Sequence, residues 1–188
     1  MIGKTAVSLR VSLVMILCAG MTAAWVGGCG SGDNTASEML ELSWREFDQS
    51  PNSGWRPIAD NKEYARAAKL IEYYLESKSG LNQGQTAYLH FHAAVLHAYE
   101  DNIERAIEHF RSASVDSFPA GFPQSWNALV KGELAFLLKN MDSVRAARDE
   151  IAAMPSLTAR DSMFLMGLEF LSTQEGISYS DAMRSLDE

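Results

Sequence analysis

Apolar residues recur along this chain at three- and four-residue intervals, the spacing of one face of an α-helix. Tyr64, Ala67, Ala68, Ile71 and Leu75 fall on one face, opposite Lys62, Arg66, Lys69 and Glu76. The same period returns in Ile103, Ala106, Ile107 and Phe110, then in Trp126, Leu129, Val130, Leu134 and Leu137. Val144, Ala147, Ile151 and Met154 follow, then Met163, Phe164, Gly167, Phe170 and Leu171, and finally Tyr179, Ala182, Met183 and Leu186. Runs of alternating β-branched residues are missing, so strands are not expected. Start signals agree with the faces: Thr35 before Glu38, Asp101 before Glu104, Thr158 before Asp161 and Ser178 before Asp181 each place a capping oxygen three residues ahead of an acid. Stops are expected at Ser79 and Gly80, around Pro119 and Pro123, and at Pro155. The expected helices are 35–48, 60–78, 83–99, 102–114, 124–139, 142–153, 158–174 and 178–187, an all-α domain of four consecutive hairpins. Segments 50–59 and 115–123 are the longest linkers.

The first residues follow another rule. Lys4 and Arg10 form a basic start, 11–26 is almost wholly apolar, and Val26, Gly27, Gly28 and Cys29 close the run. The run is shorter than the roughly 20 residues of a comfortable membrane span and matches a signal-peptide core. The four closing residues resemble the lipobox of bacterial lipoproteins. That resemblance implies cleavage after Gly28, a mature chain beginning at an acylated Cys29, and a tether at 30–34. Gly30 instead of Asp after the cysteine, by resemblance to the enterobacterial sorting rule, favours the periplasmic face of the outer membrane. Lys4 and Arg10 would leave with the signal while every acid remains, and Cys18 would go too, leaving no thiol for a disulfide or a nucleophile.

A second resemblance lies in the middle of the chain. Ala94 and His97 precede a short polar turn, and Ala106, Phe110 and Ala113 follow it with the second-helix spacing of a tetratricopeptide repeat. His90 and His97 stand where that family has larger aromatics. Ala135, Leu138, a turn at 139–142, then Ala147, Ile151, Met154 and Pro155 resemble a second copy, set further along than the repeat's ~34 residues by the linker at 118–123. The resemblance covers 85–155 well and the flanking hairpins 35–78 and 158–187 loosely. It implies a right-handed superhelical array whose first helices line an inner groove for a protein or peptide partner. On that groove side the expected contacts are Tyr88, Phe91, Val95 and Tyr99 of 83–99, with Phe136 and Lys139 of 124–139.

Composition narrows the function classes. With 188 residues, 16 Lys+Arg against 24 Asp+Glu and a formal charge of −8, the chain fits one domain without the basic face a nucleic-acid binder needs. His90, His92, His97 and His109 raise the question of a metal. His90 and His97 share a face, but His92 points nearly the opposite way and no carboxylate sits at a spacing that completes a site on that face, so packing or surface roles are expected and no metal. Acid pairs such as Glu100 with Asp101 and Asp149 with Glu150 read as caps and solvated charge. There is no P-loop, dinucleotide turn, nucleophile elbow or HExxH. No catalytic residue and no cofactor are expected. The sequence reads as an envelope lipoprotein acting as an interaction adaptor. The alternative is an accessory lipoprotein holding a small ligand in the Tyr- and His-lined hairpin 83–114.

Overall fold

The computed structural model describes residues 36–185. Cys29, the signal segment, the tether, the cap expected at Thr35 and the last apolar position, Leu186, lie outside the described residues. Those residues form helices and no strand. The helices are α1 (Ala36–Glu41), a π-helical turn (Arg45–Gln49), α2 (Arg56–Asp60), α3 (Tyr64–Ser77), α4 (Gln83–Tyr99), α5 (Ile103–Ser112), α6 (Trp126–Leu137), α7 (Met141–Ala152), α8 (Ala159–Leu171) and α9 (Tyr179–Arg184). No helix among them is long and apolar enough to cross a membrane.

From α3 to α8 each helix packs on the next, and α6 also touches α8, so the hairpins α4/α5 and α6/α7 stack in sequence. The small residues of the repeat-like pattern lie in the contacts: Ala94, Ala106, Ala113 and Ala147 are buried beside Phe110 and Ile151. Gly132 allows a close approach. A Cβ there would lie 2.5 Å from a methyl carbon of Leu168 on α8 and 3.3 Å from the Ala147 Cβ on α7. Helix α4 is buried on almost every side because it serves two cores. Leu89, Ala93 and Leu96 face Phe47, Trp55, Ile71 and Tyr74, while Phe91, Ala94, Val95 and Ala98 face Phe110, Trp126 and the C-terminal helices.

The first expected hairpin is different. One helix over 35–48 becomes α1, a break and the π-helical turn. Ser43 restarts the chain: its N–H and hydroxyl both donate to Glu46, and its oxygen accepts the Glu46 N–H. Tyr74 and Lys78 donate to the free carbonyls of Leu42, Leu40 and Glu41, so α1 ends with its acceptors met by α3. The expected linker 50–59 contains α2, with Pro57 in its first turn. Lys62, at φ 63°, breaks α2 from α3.

Caps at Thr158 and Ser178 form as expected. Helix α4 has a reciprocal Asn82–Gln85 box that the sequence reading passed over. Asp101 does not cap: it sits in the turn at φ 55°, and its carboxylate accepts from Ser180 on α9. Helix α9 thus folds back onto α4, a helix distant from it in sequence.

Candidate functional site

Three helices meet around one carboxylate. Helix α3 presents Glu72 at the edge of its apolar face, one residue past the buried Ile71. Helix α4 contributes His90 and His97, and α5 contributes Arg105 and, one turn later, His109. Oε1 of Glu72 accepts from His97 Nε2 at 3.1 Å, from His109 Nε2 at 3.0 Å and from the Arg105 guanidinium. Nδ1 of His109 lies 2.9 Å from Nδ1 of His90. Arg105 also donates to Glu108 at 2.5 Å. The cluster opens into a cleft of ≈ 230 Å³ lined by Glu72, Glu76, His90, Arg105, Glu108 and His109, with Leu75 and Ser112.

The protonation states follow from this geometry. Burial alone would lift Glu72, but the bonds from Arg105, His109 and His97 outweigh it and hold the carboxyl down at about 2. Burial, then the neighbouring His109, pushes His90 down to about 4. Burial also lowers His109, against the pull of Glu72. A carboxylate only accepts, so neutral His109 offers its Nε2–H to Glu72 and its Nδ1 lone pair to the Nδ1–H of His90. The result is an anionic oxygen ringed by imidazole nitrogens at the mouth of an open cleft.

The sequence placed His90 and His97 on one face and His92 opposite, and the structure agrees: His92 Nδ1 lies 2.8 Å from Asp48 Oδ1 on the far side of α4. Their surroundings differ from the expected aromatic packing. The carboxylate that no position on α4 could supply arrives from α3, 25 residues before His97. The one visible signal was an acid beside an apolar stripe at Glu72.

The expected inner face is filled by the chain itself. Phe91, Val95 and Phe136 are core side chains, and Tyr88 is only 8% exposed. Phe122 and Trp126 pack on Tyr88 at 5.1 and 4.7 Å, and Arg160 donates to its hydroxyl at 2.8 Å. Tyr99 is half-buried, stacked on Tyr64 and edge-on to Tyr179. Lys139 is exposed, but its Nζ donates to the Ile177 carbonyl at 2.6 Å. The linker, α8 and α9 therefore cover the surface read as a groove, and five of the six residues expected to meet a partner meet this chain's own core instead. No family model matches the chain, and neither does any curated protein or solved structure.

Proposed function

We propose that the chain is a bacterial envelope lipoprotein, anchored through acylated Cys29, whose tetratricopeptide-like hairpins hold a partner protein or peptide as an adaptor. The docking face is the α3/α5 side around Glu72, not the side read from the sequence. The observation that carries this is the contrast between the face of α4 filled by Phe122, Trp126 and Tyr179 and its edge at His90, which opens into the cleft. A tethered scaffold needs a rigid layer with a recess in it, which this arrangement supplies. The size of that recess favours a second reading, an accessory protein holding a small polar ligand.

Site-directed photo-crosslinking in cells tests the assignment. A crosslinker at Glu76 or Ser112, on the rim of the cleft, is expected to trap one dominant protein, and one at Glu169 on α8 is not. Equal capture from all three positions overturns the docking face. Absence of capture from the rim shifts the reading to the small ligand. The anchor has its own check: Cys29→Ser is expected to abolish metabolic labelling with palmitate and to release the chain from the membrane fraction.

A further inference from the structure

We propose that Glu72, His97 and His109 form a site for one divalent transition-metal ion of the zinc type. The three residues come from three different helices, yet each offers one ligand atom and these atoms lie within 4.8 Å of one another. The Glu72 oxygen sits 3.1 and 3.0 Å from the two Nε2 atoms. Ligands bound tetrahedrally at about 2.0–2.1 Å stand roughly 3.3 Å apart, so the two contacts to Glu72 already match that spacing to within a few tenths of an ångström, and the two imidazoles, within 4.8 Å of each other, close on the ion. Two imidazoles and one carboxylate are donors suited to Zn(II), Co(II) or Ni(II), whereas Ca(II) and Mg(II) prefer all-oxygen shells. Both histidines are buried, which fixes their rings by packing before any ion arrives.

Two neighbours complete the site. His90, hydrogen-bonded to the far nitrogen of His109, is a positioning residue: it orients the ring from the second shell. On metal binding each ligating imidazole keeps one proton but carries it on Nδ1, leaving the Nε2 lone pair for the ion, and His109 then donates to His90, which carries its own proton on Nε2 and accepts at Nδ1. Arg105 is the competitor. Its guanidinium occupies the same Glu72 oxygen in the metal-free chain, but it is also paired with Glu108 and can remain there when the ion takes Glu72. With Glu72, Glu76 and Glu108 against Arg105, the cleft lining is net acidic and favours a cation. Glu72 and His109 line the cleft, from which water or a donor from a docked molecule would complete the shell. The site stands whether or not a protein docks there, so its failure and that of the adaptor reading are separate results.

The test uses the full chain, purified in detergent without a histidine tag, stripped of metal, and titrated with zinc against a chromophoric chelator. One zinc per chain with micromolar or tighter Kd is expected, and Co(II) is expected to give the intense visible bands of a four-coordinate ion. Glu72→Gln and His109→Gln each weaken zinc binding by about 100-fold or more, and His90→Phe by about 10-fold. Arg105→Gln, at a half-exposed position, tightens it several-fold by freeing Glu72. Helical circular dichroism of each variant shows that the fold is retained. If Glu72→Gln and His109→Gln fail to fold, Arg105→Gln alone decides. No stoichiometric binding by the wild type, undiminished binding in folded Glu72→Gln and His109→Gln chains, or weaker binding in Arg105→Gln overturns the site. A merely structural ion-pair cluster predicts the first of these.

Discussion

Asp48 is fully buried in the N-terminal core, and a charge taken out of water must be met by partners at close range. His92 Nδ1 at 2.8 Å and Trp55 Nε1 at 3.1 Å meet one oxygen, and Gln49 donates to the other. Arg56 holds the backbone carbonyl of the same residue at 2.7 Å. Burial would raise this carboxyl, but His92, Arg56 and the Trp55 bond together hold it below the ordinary aspartate range. A lowered folded value contributes stability above the unfolded pKa of about 3.9, and that contribution is lost as pH falls through the folded value. Asp48→Asn keeps the shape and removes the charge. We expect it to cost about 3 kcal/mol at neutral pH, read by urea denaturation, and to flatten the acid limb of stability against pH. An unchanged acid limb would show that Asp48 carries no linked proton. Little of this was legible in the sequence. Helical spacing gave the direction of His92, but its partner is 44 residues away, and no local pattern joins them. Glu72 escaped for the same reason. A search confined to one helix face finds ligands only on that helix, whereas this cluster is assembled by the packing of three.

At the scale of elements, α4 was read to its observed ends, and α6 and α7 to within two residues of theirs. Each has a long apolar period and a stop dictated by backbone chemistry. The region before α3 was misread because its order comes from tertiary contacts instead of periodicity. There the chain crosses Phe47, stacked at 3.8 Å on Tyr74, and turns sharply at Gly54 to bring Trp55 back over His92. Gly54 has φ +63°, and a Cβ there would lie 2.0 Å from the Phe47 carbonyl oxygen. Backbone cannot yield as a side-chain tip can, so both the left-handed conformation and the space require glycine. Gly54→Ala is expected to destabilise the chain by about 3 kcal/mol, loosening α1 and α2 first. Amide hydrogen exchange checks this: protection should fall across 36–60 more than across 126–152. Uniform loss would mean that the N-terminal layer does not open on its own. The contrast with Gly132 is instructive, since there the obstacle is a Leu168 methyl, the far end of a side chain in the α6/α8 contact.

The shape of the whole molecule depends on α9, which is only six residues long and yet closes the array. Ser180 donates to Asp101 in the turn after α4, and Lys139 from the turn after α6 holds the Ile177 carbonyl. Tyr179 reaches between them to Phe136, Tyr99 and Glu133. Stacked hairpins otherwise touch only their neighbours, so this return contact couples α4 to the end of the chain. Glu133 is the exposed weakness of that latch in chemical terms, because it is buried with one carboxylate oxygen lacking a hydrogen-bond partner among the described residues. Burial pushes it up to about 7, against a bond from Tyr179 that favours the charged form. Below the ordinary value of 4.5 both folded and unfolded chains hold the proton, and Glu133 leaves stability independent of pH. Between 4.5 and about 7 only the folded chain still holds it, so stability falls as pH rises. Above about 7 the loss levels off on the order of 3 kcal/mol. Glu133→Gln keeps an acceptor for the Tyr179 hydroxyl and has no proton to release. The variant is therefore expected to be more stable than the wild type at pH 8 and nearly equal to it at pH 4.5, with the difference opening through that interval in thermal melts. The same divergence should appear in the exchange of α9 amides, because the helix that Tyr179 anchors is the one a charged Glu133 loosens. A constant gap at every pH would instead mean that the substitution acts through packing and that the latch carries no charge switch.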